Sequence, residues 1–189
     1  MRKKLVLLLT ATMLVMSMAA CGGNGDAGNA VADITAVEAL ENVWATYGED
    51  EKFFAMGGDM NNMVDNAPGE YGMEDTETLS WALYIPADSI ALVDQAASLM
   101  HAMNTNTFMS AAFHLTDAAN AETLATSIKD TIMSTQWMCG FPDKVVMFTV
   151  NDNIVMYAFG NAELIDNFKS KVTTVYGENA VLLVEENIM

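Results

Sequence analysis

The stretch that decides the fold is VVMFTVNDNIVMYAF, residues 145–159. Val145–Val150 and Ile154–Phe159 are two apolar runs of strand-forming residues around Asn151-Asp152-Asn153, a trio that tolerates the left-handed backbone of a tight turn. The spacing predicts a β-hairpin. Upstream, Met109, Ala111, Phe113 and Leu115 alternate with Phe108, Ser110, Ala112 and His114, which predicts a strand over Thr107–Leu115, with Asn104-Thr105-Asn106 as the turn before it. Between these β segments, Leu124, Ile128 and Ile132 recur at intervals of four behind Asn120, the pattern of a capped helix. Past the hairpin, Asn161 opens another helix with Leu164, Phe168, Val172 and Val175 on one face, and Gly177 closes it. Ala180–Val184 reads as a last short strand, ended by Glu185-Glu186.

Toward the N-terminus, Thr35 and Glu38 form a capping-box pair ahead of Val37, Leu40, Trp44 and Tyr47, with Gly48 as the stop. Asp75 caps a short helix carrying Leu79 and Leu83, and Pro86 ends it. Residues 49–74 are broken by Gly57-Gly58, Pro68-Gly69 and Gly72, and read as loop with one turn of helix near 60–65. Residues 90–102 fit helix or strand. The expected architecture is α+β: a mostly antiparallel sheet built from a β-β-α-β-β-α-β core, helices packed on one face, and an N-terminal helix in front.

The first residues read as an address. Arg2, Lys3 and Lys4 precede an apolar run, Leu5–Ala20, of 16 residues, short of the roughly 20 a membrane-spanning helix needs. Residues 1–20 have the anatomy of a secretory signal peptide. Met18-Ala19-Ala20-Cys21 followed by Gly22-Gly23-Asn24-Gly25 looks like a lipoprotein cleavage site, with Met18 where such sites usually carry Leu. That resemblance implies lipid attachment at Cys21, residues 21–32 as a flexible linker, and 33–189 as one globular domain on the outer face of the cytoplasmic membrane. Acyl chains anchor without spanning. Ordinary secretion with cleavage after Ala19 or Ala20 is the alternative.

Beyond Cys21 there are five Lys and no Arg against 25 Asp and Glu, a net charge of −20. This excludes nucleic acid, whose binding depends on cations neutralising phosphates, and disfavours anionic lipid. Cations or basic peptides remain compatible with such a surface.

Five features together resemble a family of Gram-positive envelope lipoproteins with a small α+β domain of unknown function. They are Met18–Cys21, Tyr71-Gly72-Met73 leading into an acidic helix start, Met103-Asn104 before the 107–115 strand, the 120–134 helix and the 145–159 hairpin. Similar sequences are sometimes labelled bacteriocin transport accessory protein, a name also given to thioredoxin-like proteins. The resemblance implies an envelope lipoprotein and supplies no catalytic residues.

The thioredoxin association makes QWMCGFPDK, residues 136–144, worth weighing. Dithiol chemistry needs a second thiol in Cys-x-x-Cys. Here Pro142 occupies the resolving position, Met138 separates Trp137 from Cys139, and the stretch joins a helix to a strand instead of a strand to a helix. It reads as a turn with one candidate thiol, Cys139, and with Trp137 and Phe141 packed against the sheet edge. A Cys–His hydrolase would need His101 or His114 beside Cys139.

Of 16 Met, 12 follow the signal; Met56, Met60 and Met63 form one cluster and Met100-His101-Ala102-Met103 another. Soft thioethers with imidazole suit Cu(I), while Met also fills irregular cores. Asp59–Asp65 lacks the glycine and distal glutamate of a twelve-residue calcium loop, and Gly57-Gly58 lacks the lysine of a phosphate loop. No cofactor is expected. The expectation is a non-enzymatic binding or accessory module whose partner is an envelope protein, a peptide or a small ligand. The alternatives are a thiol-disulfide accessory role through Cys139 and soft-metal binding through Met and His.

Overall fold

The computed structural model describes residues 33–103 and 107–188. The signal segment, Cys21, the linker and the Asn104–Asn106 turn lie outside the described residues. The described residues belong to one compact unit.

The predicted hairpin forms as β6 (Lys144–Val150) and β7 (Ile154–Gly160), in antiparallel register from Val150↔Ile154 to Lys144↔Gly160. Asn151 and Asp152 take φ of 50° and 62°, the left-handed turn that Asn and Asp accept with least strain. β4 (Val93–His101) and β5 (Phe108–Leu115) form a second antiparallel pair, and β5 joins β7 to unite the two. β8 (Ala180–Asn187) adds to β6. With β1 (Ala55–Gly57), β2 (Val64–Asp65) and β3 (Gly69–Tyr71), the sheet has eight strands in the order β2-β1-β4-β5-β7-β6-β8, with β3 also on β4. Every strand pairing among the described residues is antiparallel, and the class is α+β.

Helices cover both faces of the sheet, where the sequence reading placed them on one. α1 (Ala36–Trp44) and α4 (Ala162–Tyr176) pack on Ala112, Val146, Phe148, Met156 and Ala158. α2 (Thr76–Ala82) and α3 (Ala121–Ser134) pack on the alternate residues Ala111, Phe113, Met147, Val155 and Tyr157. Topology supplies the reason. α3 carries the chain from β5 across β7 to β6, and α4 carries it from β7 across β6 to β8, so both crossovers move the same way along the sheet. They start from antiparallel strands, so two crossovers of the same, right-handed sense fall on opposite faces. The apolar runs at 145–150 and 154–159 agree with this, since a strand covered on both sides does not alternate.

Residues 49–74 hold three short strands and no helix at 60–65. β1 and β3 lie end to end along one edge of β4, opposite His101–Leu99 and Ser98–Ala96 respectively. Each is too short to show a period. The 90–102 ambiguity resolves into a 3-10 turn, Ala87–Leu92, followed by β4. The capping pairs at Thr35/Glu38, Asp75 and Asn161 form as predicted. Before α3, Asp117 caps a 3-10 turn at 118–120, and Asn120 makes no side-chain cap bond. α1 ends at Trp44, before Gly48. β8 continues past Glu185-Glu186 to Asn187, because Lys144 and Lys169 both hold the Glu185 carboxylate.

Candidate functional site

A large groove opens on the α2/α3 face, at the end of the sheet where β4 and β7 finish and β5 begins. Its volume is about 760 Å³, within the range of small-ligand sites. The floor is Met100, Met109 and Phe159 from three adjacent strands. One wall is the end of α2, with Ser80, Trp81 and Tyr84; the other is the end of α3 and the chain after it, with Thr131, Thr135, Trp137 and Cys139. His101 and Met103 close the rim. No lining residue carries a formal charge at neutral pH.

Each wall has a structural cause. Pro86 and the end of α2 reverse the chain at Tyr84, whose φ is 54°, an uncommon conformation for a bulky side chain. Its ring is held edge-on to Phe159 at 5.0 Å between centroids and lies 5.8 Å from Trp137. Trp137 in turn packs on Phe159 at 5.3 Å. This aromatic trio props the groove open between the two helices. Burial raises the Tyr84 phenol above its ordinary pKa, so it stays protonated. The Trp137 indole N–H is buried and has no acceptor among the described residues. At the mouth, Trp81 is 81% exposed and Met103 is more than half exposed.

Cys139 is exposed, in bends between α3 and β6, with Gly140 at φ 70°. The expected helix-to-strand turn is present, and Trp137 packs as expected, but Phe141 points to solvent and does not pack on the sheet edge. His101 shares the groove with Cys139; His114 does not. His114 lies at the far end of β5, with Nδ1 2.6 Å from Asp94 Oδ1 and Nε2 3.0 Å from Asn153 Nδ2. Asn153 also donates to Asp33 at 2.9 Å. No hydrogen bond links Cys139 to either histidine among the described residues.

The soft-ligand cluster is half assembled. Met100, His101 and Met103 reach the groove and are joined there by Met109, whereas Met60 and Met63 are exposed elsewhere. His101 limits what this cluster can do. The Met103 backbone N–H donates to His101 Nδ1 at 3.0 Å, and the ring stacks on Phe53 at 4.8 Å. With Nδ1 accepting, the neutral ring carries its hydrogen on Nε2. Desolvation lowers the His101 pKa, so the ring is neutral near pH 7. Imidazole therefore presents a donor here, and a metal at Nε2 would require loss of the Met103 bond.

The Asp59–Asp65 loop is stapled from within. Asp59 accepts from Asn61 and Asn62 through one oxygen and from Gly72 through the other, at 2.7, 2.9 and 2.8 Å, and the Gly72 bond leads in holding its pKa below the usual range. No cluster of three or more His, Cys, Asp or Glu suited to a metal occurs among the described residues. None of the described helices is long and apolar enough to cross a membrane.

Sequence reasoning flagged Cys139, His101 and Met100/Met103 but missed Trp81, Tyr84, Met109 and Phe159 as members of one site. They come from separate segments, and only the tertiary fold joins them. No protein-family model, no curated protein and no solved structure matches the chain.

Proposed function

We propose that the chain is an extracytoplasmic lipoprotein, anchored through Cys21, that acts as a non-enzymatic binding module through the groove between α2 and α3. The observation that carries the reading is the groove: about 760 Å³, uncharged, aromatic-lined, and held open by a bulky residue at positive φ. Strained backbone concentrates where ligands are clamped, and apolar walls with a few convergent polar groups are what small-ligand sites present. The anchoring half rests on the Met18–Cys21 sequence and the basic and apolar segments before it.

The two halves are tested separately. Detergent phase separation of host membranes should send the protein to the detergent phase, and Cys21→Ser should send it to the aqueous phase; recovery of the parent protein in the aqueous phase defeats the anchor. For the groove, native mass spectrometry of the full chain extracted from its host should show a bound species that is lost in Cys139→Trp, a bulky change at an exposed lining position. The same bound species retained by the variant, or none on the parent, defeats the groove. A thiol-disulfide role for Cys139 would require insulin reduction by the parent protein that disappears in Cys139→Ser.

A further inference from the structure

The occupant can be narrowed from charge and from where the chain leaves the domain. Among the described residues there are 24 Asp and Glu against five Lys and no Arg. All five lysines are already in ion pairs: Lys52 with Glu49, Lys129 with Asp130 and Glu186, Lys144 with Asp166 and Glu185, Lys169 with Glu185, and Lys171 with Glu51. Among the described residues no lysine is left unpaired to meet an anionic partner, and the net charge is strongly negative while the groove itself is neutral and apolar.

The exit point adds direction. Asp33, the first described residue, is held by Asn153 beside the 151–153 turn. That is the end of the sheet opposite the groove, separated from it by the length of β5, about 25 Å at the usual rise per residue. The twelve residues from Gly22 to Asp33 reach at most about 40 Å. The chain enters the described residues at the end remote from the groove, and Asp33 does not cover its mouth.

We infer that the groove takes the apolar or aromatic side chain of a short cationic peptide segment, whose basic flanks are drawn by the net negative charge of the molecule. This deepens the binding reading above and rests on it. Apolar anchoring supplies affinity, and long-range attraction supplies capture rate and discrimination against acidic peptides. Peptide carbonyls also offer acceptors, which suit a rim where the neutral His101 ring carries its hydrogen on Nε2. A membrane surface fits less well, since the carboxylate excess repels anionic headgroups.

The test uses the full chain in detergent and two capped hexapeptides, Lys-Lys-Phe-Leu-Lys-Lys and Asp-Asp-Phe-Leu-Asp-Asp, titrated calorimetrically. The basic peptide should bind at least tenfold more tightly, weaken several-fold between 50 and 300 mM salt, and slow alkylation of Cys139 by iodoacetamide as read by mass spectrometry. Cys139→Trp should weaken it at least tenfold. Trp81→Ala should weaken it about threefold, and since Trp81 is largely exposed, that variant should keep the parent melting curve. Equal binding of both peptides overturns the cationic specificity and leaves the groove reading standing. Binding of the basic peptide that is unchanged in both variants places it elsewhere on the acidic surface and overturns the inference. Absence of peptide binding, with a native occupant still seen in the groove, overturns the inference alone.

Discussion

At the scale of single residues, buried polar groups determine where this molecule is vulnerable. Tyr157 is fully buried at the centre of the sheet, and its hydroxyl donates to the Leu83 carbonyl at 2.7 Å, tying the sheet to the end of α2 beside the groove. Tyr157→Phe keeps the ring and leaves that carbonyl unpaired, at a cost of about 1–3 kcal/mol; urea unfolding should show a lower midpoint at unchanged slope. Glu185 behaves differently because it is nearer solvent. Lys144 and Lys169 lower its pKa from 4.5, and Asp166 and Glu185 raise that of Lys144 from 10.5. A lowered carboxylate stabilises the fold above its unfolded pKa and loses that contribution as pH falls through the folded one. A raised lysine stabilises the fold below its unfolded pKa and loses that contribution as pH climbs through the folded one. Glu185→Gln should therefore destabilise between about pH 5 and pH 10, by about 1 kcal/mol or less at such exposure. The difference from the parent should shrink as pH falls below the ordinary carboxylate range, as followed by denaturant unfolding across pH.

At the scale of elements, the edge of β4 is the least forgiving segment. β1 and β3 meet end to end there because Gly57 and Gly69 let their backbones touch: a Cβ on Gly57 would lie 2.3 Å from the Gly69 nitrogen and 2.4 Å from the Ala67 oxygen. Gly57→Ala should cost about 1–3 kcal/mol, the usual range for overpacking, with amide exchange accelerating in β1 and β3 before it does in β5 or β7. These strands were not legible in the sequence. A strand of two or three residues has no measurable period, and its identity comes from β4, some thirty residues further along. The long elements were legible because each carries its own signal: the Asn151–Asn153 turn, the four-residue rhythm of Leu124, Ile128 and Ile132, and the Thr35/Glu38 box. Thr35→Ala, removing that box, should lower stability by about 1 kcal/mol and show first as fraying of α1 in amide exchange.

At the scale of the whole molecule, the sequence shows the acidity plainly and the layering hardly at all. Each helix advertises an apolar face, but nothing in α3 or α4 says which side of the sheet that face will meet; the lateral order of the strands decides it. The groove was unreadable for the same reason. Its thiol and imidazole stood out as types, while its aromatic walls looked like ordinary core. Charge acts globally, and with carboxylates outnumbering lysines 24 to five among the described residues, repulsion exceeds pairing. Raising salt from 10 to 300 mM should therefore raise the melting temperature by a few degrees, despite weakening individual ion pairs. Scanning calorimetry would show this, and a falling melting temperature would mean that the paired lysines outweigh the rest.

The way β5 joins β7 also has a kinetic consequence. β4–β5 and β6–β7 are each hairpins closed by short connections, cheap in chain entropy and able to form within microseconds. The β5–β7 seam is costlier, because α3 must be spanned before Phe113 can sit opposite Val155. Folding should thus be a docking of two preformed halves. Truncations at Phe113 and Val155, paired across the seam, should slow refolding, whereas changes in β8 should mainly speed unfolding.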